Sequence, residues 1–310
     1  MQQSPRLGYA MCTIAAIIWA WTGPGIKLLL DDYQASGLAI ALWRDVILTV
    51  CLGCGLLLFK RDALRIHAQD FWPLAGLGVI SIGIYHALWI WSVDLNGASV
   101  AVILIYLFPT FATIGARFVF GEQLRSIHIV GLFLSLFGLI LLVELYDTSN
   151  LQLNWLGIVV GLTTAVLQAG YALYSQHAVR TVNPWAALFV TMASGSVTLL
   201  LMFAMAPLVV GAANAPHIFD IGDRTAWLIL AVIAIGPTLG GYALFNLALR
   251  HIPASIGSLI LVLEAPTASI IAMVYLKEYL DSWQLVGMVL ILIAIVLPTL
   301  WRAPRPAVAA

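Results

Sequence analysis

The chain reads as ten apolar runs separated by short polar punctuation, roughly 8–30, 36–59, 71–92, 98–120, 126–145, 154–177, 184–207, 225–249, 255–276 and 282–301. A hydrocarbon layer about 30 Å thick needs ~20 apolar residues to be crossed by a helix, so each run predicts one transmembrane helix. Runs such as Ile129 to Val143 are apolar on every face, whereas transmembrane strands alternate over ~10 residues. The expected fold class is therefore an all-α membrane protein with ten transmembrane helices. Composition agrees: 62% of the 310 residues are hydrophobic and 9% are charged, against about 25% charged in an average soluble domain.

Charge adds orientation and removes one class of partner. Fourteen basic residues balance fourteen acidic ones without a basic stripe, so no nucleic-acid partner is expected. With the N-terminus inside, the cytoplasmic ends and loops hold Arg6, Lys60, Arg61, Arg65, Arg117, Arg125, Arg180, Arg250, Arg302 and Arg305, and the other side only Lys27, Arg224 and Lys277. The positive-inside rule then places both termini in the cytoplasm. Only Arg6 precedes the first run and no small-residue cleavage site clearly follows it, so that run is expected to be retained. Cys12, Cys51 and Cys54 lie in apolar stretches without metal-ligand spacing, and neither a metal nor another cofactor is expected.

Ala87 to Val143 reads against Ala243 to Thr299, with one residue inserted before the prolines and one removed after them. Ala98-Ser99 matches Ala254-Ser255, Pro109-Thr110 matches Pro266-Thr267, Glu122 matches Glu278, and Gly131 matches Gly287. The order small pair, mid-helix proline, terminal glutamate, glycine implies a five-plus-five duplication, 1–147 and 148–310. Five spans are odd, so the second repeat enters from the opposite side, and inverted repeats around a central cavity suit secondary transporters.

The run from Pro109-Thr110 through Gly121-Glu122-Gln123-Leu124 to Gly131, repeated from Pro266-Thr267 through Lys277-Glu278-Tyr279-Leu280 to Gly287, resembles the paired EamA domains of the drug/metabolite transporter superfamily. The tryptophans, the tyrosines and His86 in Tyr85-His86-Ala87-Leu88-Trp89 look most like its bacterial exporters of aromatic amino acids. The resemblance implies a central cavity and efflux of amino acids or related metabolites across the inner membrane. A monomer in the lipid bilayer is expected, with a small molecule as its only other partner.

Polar side chains at membrane depth need a partner or water. His86 and Trp89 share a face, a polar tip beside an aromatic plate. Trp19 lies midway along the first helix, and Gln168, Tyr171 and Ser175 form one face of the sixth, with Ser175 near its wet end. Trp19, Tyr85, His86, Trp89, Gln168, Tyr171, Tyr242 and Asn246 are the candidate substrate contacts. Hydrogen bonding between helices is the alternative for the polar ones. Arg44 and Asp45 diverge by about 100° on their helix, so separate partners are expected, snorkelling or a substrate carboxylate among them. Glu264 is the candidate for proton coupling or for an interhelical hydrogen bond. Pro24, Pro109, Pro237 and Pro266 are candidate helix breaks, or kinks for packing.

No HExxH, GxSxG or Walker motif is present, and Ala193-Ser194-Gly195-Ser196 has no histidine obviously placed to serve it. A membrane enzyme is the weaker alternative to a non-enzymatic exporter of aromatic and other neutral amino acids. Export of other drugs or metabolites is the alternative within the same class.

Overall fold

In lipid every backbone N–H and C=O must be paired within the chain, and among the described residues the computed structural model consists of helices joined by short connections, with no strand. These residues are 4–122, 126–147, 154–211, 217–277 and 279–300. Eight helical segments are long and apolar enough to cross a membrane: span 1 (Pro5–Asp31), span 2 (Gly37–Phe59), span 3 (Ala68–Gly97), span 4 (Ser99–Phe120), span 6 (Trp155–Thr181), span 7 (Pro184–Leu208), span 8 (Arg224–Ala248) and span 9 (Ala254–Tyr275). Two shorter apolar helices, Ser126–Leu142 and Ser282–Leu297, are numbered 5 and 10. Gln123, Leu124, Arg125, Glu278, Trp301, Arg302 and Arg305 lie outside the described residues.

Five of the segments that meet at the centre depart from a regular α-helix. Span 1 turns at Ala20–Trp21, span 4 at Tyr106–Leu107 and span 9 at Val262–Leu263. Proline follows each turn within three or four residues, in the first turn of the next helical piece. There its missing N–H is one of the donors a helix start leaves unpaired. At these turns the amides reach back three residues instead of four, as in Leu107 N to Leu104 O at 3.3 Å and Leu263 N to Ile260 O at 3.0 Å. Span 8 instead carries a π-helical stretch, Ala234–Leu239, around Pro237, and span 3 carries one at Val79–Ile84.

These irregularities recur at matching positions. The turns of spans 4 and 9 fall on the paired sequence positions, the π stretches of spans 3 and 8 agree within one residue, and spans 4 and 9 both end in a left-handed cap, at Gly121 (φ 67°) and Lys277 (φ 56°). Packing has the same pattern. Span 1 lies on spans 8 and 9 as span 6 lies on spans 3 and 4, while the pairs 2 and 7, 4 and 9, and 5 and 10 lie against each other. Span 6 breaks the correspondence by running straight where span 1 turns, because Gly23-Pro24-Gly25 has no counterpart there, and the π-helical Ala272–Leu276 at the end of span 9 has none in span 4.

Helices 5 and 10 cross through glycines. A Cβ on Gly138 would stand 2.7 Å from the Gly287 carbonyl oxygen, so the close approach leaves no room for a side chain at either glycine. The start of helix 10 is tied to the end of helix 5. Asp281 Oδ1 accepts from Gln284 N at 2.7 Å, Gln284 Oε1 accepts from Asp281 N at 2.8 Å, and the Tyr146 hydroxyl donates to Asp281 Oδ2 at 2.7 Å.

Gly138→Ala is expected to lower the thermal unfolding midpoint in detergent, since overpacking costs about 1–3 kcal/mol; an unchanged midpoint would contradict the tight crossing. The Gln284 amide, aided by the Tyr146 hydroxyl, holds the Asp281 carboxyl below its ordinary value of 3.8. A depressed carboxyl contributes stability above its unfolded value and loses it as pH falls through the folded one. Hydrogen exchange at the start of helix 10, corrected for its intrinsic pH dependence, should rise only below pH 3.8, and Asp281→Asn should abolish that step.

Candidate functional site

The broken segments enclose a cavity of about 350 Å³, at the lower end of small-molecule pockets. Its lining comes from spans 1, 2, 3, 4, 6, 8 and 9 and the end of helix 5. Most of these residues lie between the middle of their spans and the end remote from the N-terminus. The opposite end is filled by a core that includes Cys12, Ala16, Leu52, Phe245, Leu249 and Ile252. Hydrogen bonds fasten the connection between spans 8 and 9 there. Gln176 Oε1 accepts from Ala254 N, Arg250 Nε donates to Val179 O at 3.0 Å, and Ser255 Oγ donates to Glu122 Oε2 at 2.5 Å.

One wall of the cavity is charged. Arg44 and Asp45 do pair, against the expectation drawn from their divergence on the helix, with Arg44 Nε 3.4 Å from Asp45 Oδ1. His86 of span 3 closes the ring, its Nε2 2.6 Å from Arg44 Nη2 and its Nδ1 2.9 Å from Asp45 Oδ2. A guanidinium only donates, so Nε2 must accept, and the ring proton then sits on Nδ1, the nitrogen facing the carboxylate. Adjacent residues can share one partner because a side chain from a third direction spans the gap between them. Asp45 is fully buried, and Arg44, although 9% exposed, lines the cavity with donors to spare.

Acceptors share the lining of the cavity. Glu264 lines it with its carboxyl hydrogen-bonded to Tyr106, and Gln168 lines it with Oε1 buried and unpartnered. Thr22 Oγ1, at the turn of span 1, is another buried atom without a protein partner on the same surface. The aromatic rings pack edge to face, Trp19 on Tyr242 at 4.5 Å and Tyr242 on Tyr171 at 5.5 Å between centroids. Tyr85 and Trp89 complete the wall.

The structure thus brings Trp19, Tyr85, His86, Trp89, Gln168 and Tyr242 to one cavity together with Arg44 and Glu264. Tyr171 and Asn246 are not on its surface. Both are buried and hydrogen-bonded to each other, Asn246 Nδ2 to the Tyr171 hydroxyl at 3.0 Å, and they support the aromatic floor from behind. Ser175 is buried rather than wet. Pro109 and Pro266 are buried at their turns, whereas Pro24 and Pro237 line a second, apolar groove on the outer surface. Sequence reasoning missed Thr22, Tyr106 and Ser269 as lining residues. The signal for the first two was their place two or three residues before Pro24 and Pro109, where a break turns small polar and aromatic groups toward the interior.

Residues 6–144 and 155–300 each match the model of the EamA-like transporter family. An uncharacterized transporter of Bacillus subtilis, YwfM, is 26% identical over 94% of this chain and 93% of its own. A probable terminal-alkyne amino-acid exporter of Streptantibioticus cattleyicolor is 27% identical over 88% of this chain and 87% of its own. A crystal structure shares the fold with a TM-score of 0.78 at 17% identity, over 96% of this chain and 98% of that one. A helical membrane architecture with a polar and aromatic cavity at its centre, matched twice by one family model, makes this chain a member of the EamA-like transporter family.

Proposed function

We propose that the chain exports aromatic and other neutral amino acids across the bacterial inner membrane. Ten spans would form two inverted repeats, with both termini cytoplasmic. The observation that carries this reading is a cavity whose lining combines donors, Arg44 with His86, acceptors, Glu264 and Gln168 Oε1, and aromatic rings. A zwitterion with a ring presents the complement of all three: a carboxylate, an ammonium and an aromatic plate. The relative named as a probable amino-acid exporter supports the same substrate class. The matched turns, π stretches and packing relations of the two halves support alternating access, in which the halves exchange shapes about an in-plane axis.

In this reading Arg44 holds the substrate carboxylate, and His86 fixes the guanidinium. Glu264 and Gln168 take the ammonium, and Trp19, Trp89 and Tyr85 enclose the ring. Glu264, the carboxyl free of the Arg44 ring, is the group that would exchange a proton for substrate.

The test is uptake of labelled tryptophan into liposomes holding the purified protein, with and without a pH gradient. Charge-assisted hydrogen bonds contribute about 1.5–3 kcal/mol, so Arg44→Ala and His86→Ala should each cut flux at least tenfold. Flux no greater than in empty vesicles, from folded protein, would overturn the amino-acid assignment. Glu264→Gln should transport without responding to the gradient; a response equal to that of the native chain would remove Glu264 from coupling. Asp45 touches no cavity, and removing one partner of a buried pair costs about 3–5 kcal/mol. Asp45→Asn is therefore expected to show mainly as a lower unfolding midpoint, and an unchanged midpoint would contradict its structural role.

A further inference from the structure

The Trp19 wall of the cavity depends on a buried residue behind it, Gly241 of span 8. A Cβ on Gly241 would stand 2.9 Å from Trp19 Cγ, 3.0 Å from Cδ2 and 3.2 Å from Cδ1. The five-membered part of the indole therefore occupies the space that a side chain at 241 would fill. The ring is 8% exposed, and it packs on Tyr242 and Phe245 at 4.5 and 6.3 Å between centroids. The two halves differ here. Extending the repeat register two residues ahead of Ala87 and Ala243 pairs Gly241 with Tyr85, which lines the cavity. One half supplies an aromatic side chain of its own at this position, and the other supplies none and receives an indole from span 1.

Carbon atoms pack best at about 3.5–4.0 Å, so a methyl group at 241 forces the indole or the backbone to give. The backbones are held elsewhere. About three turns nearer the N-terminus, a Cβ on Gly8 would stand 2.7 Å from both His251 Cβ and Ile252 Cγ2, so spans 1 and 8 already meet closely at a second level. The indole gives instead, and its remaining exposed surface borders the cavity.

We propose that Gly241 is a positioning residue for substrate selection: it seats the Trp19 indole against its own backbone and so keeps the cavity open to aromatic side chains. This role rests on the amino-acid reading above, and Gly241 acts through Trp19. With a methyl group at 241 the indole moves into a cavity of only about 350 Å³, and a substrate with a large ring is excluded before one as small as alanine. Differences of one methylene in an apolar pocket discriminate substrates about 10–200-fold.

The test compares uptake of labelled tryptophan and labelled alanine into liposomes holding the full chain or Gly241→Ala. Alanine is the better helix former of the two residues, so the variant should fold. Its tryptophan-to-alanine flux ratio should fall about tenfold or more, through a raised KM for tryptophan, with alanine flux retained. In a Trp19→Phe background the smaller ring leaves room, and Gly241→Ala should change the ratio far less. The displacement itself is read without substrate, by fluorine NMR of the chain labelled with fluorotryptophan. The signal missing from Trp19→Phe should move in Gly241→Ala, while that of Trp155, on span 6, stays. Native flux with an unchanged ratio in Gly241→Ala, an equal fall in both backgrounds, or an unmoved Trp19 signal would overturn the proposal and leave the transport reading standing. A native chain that moves neither amino acid would overturn the transport reading and the selection role with it.

Discussion

A bilayer offers a backbone amide no partner, and that constraint governs this fold. Most of each span meets it with an unbroken α-helix. At the centre spans 1, 4 and 9 turn and spans 3 and 8 widen into π-helix, and each of the three turns is flanked by residues that line the polar cavity. Proline sets the place of each turn because it cannot donate, and the sequence puts it where a helix start needs no donor. The irregular backbone is thus a condition for having a cavity at all, since straight helices with this packing would close on one another.

Charge follows the same economy. A lone arginine or aspartate at this depth would be costly, and the ring formed by Arg44, Asp45 and His86 keeps the two charges together within hydrogen-bonding distance of one imidazole. Asp45 is spent on neutralisation, so the part of the ring that reaches the cavity is a guanidinium already oriented. In the same lining Glu264, Gln168 Oε1 and Thr22 Oγ1 supply acceptors. The aromatic rings give a ligand apolar surface beside these groups. Below the floor, the Tyr171 and Asn246 pair and the bonds around Ala254 and Ser255 hold the far end shut.

The spans were legible in the sequence because apolar length is a local property, and their ends fall within a few residues of the helices observed. Of the five interrupted segments, four carry a proline singled out in the sequence, Pro24, Pro109, Pro237 or Pro266, whereas the π-helical stretch of span 3, Val79–Ile84, carries none. What could not be read was which polar face meets which neighbour. The helical face of Gln168, Tyr171 and Ser175 is one stripe in sequence, yet only Gln168 reaches the cavity, since span 8 approaches below it and Asn246 takes the Tyr171 hydroxyl. The sharing of His86 by two adjacent residues of span 2 is likewise a tertiary fact. So is the role of Thr22, an ordinary threonine until the turn at Ala20–Trp21 aims it inward.

The central claim is that the cavity and the closed end exchange accessibility during transport. It is tested most directly by reacting single cysteines with a membrane-impermeant thiol reagent from each side, in a background lacking Cys12, Cys51 and Cys54. Ser269→Cys, in the cavity, should react only from the side remote from the N-terminus. Ser255→Cys, at the closed end, should become reactive from the opposite side when transported substrate is supplied, while Ser269→Cys becomes protected. Simultaneous reactivity of both positions, or reactivity indifferent to substrate, would contradict the account.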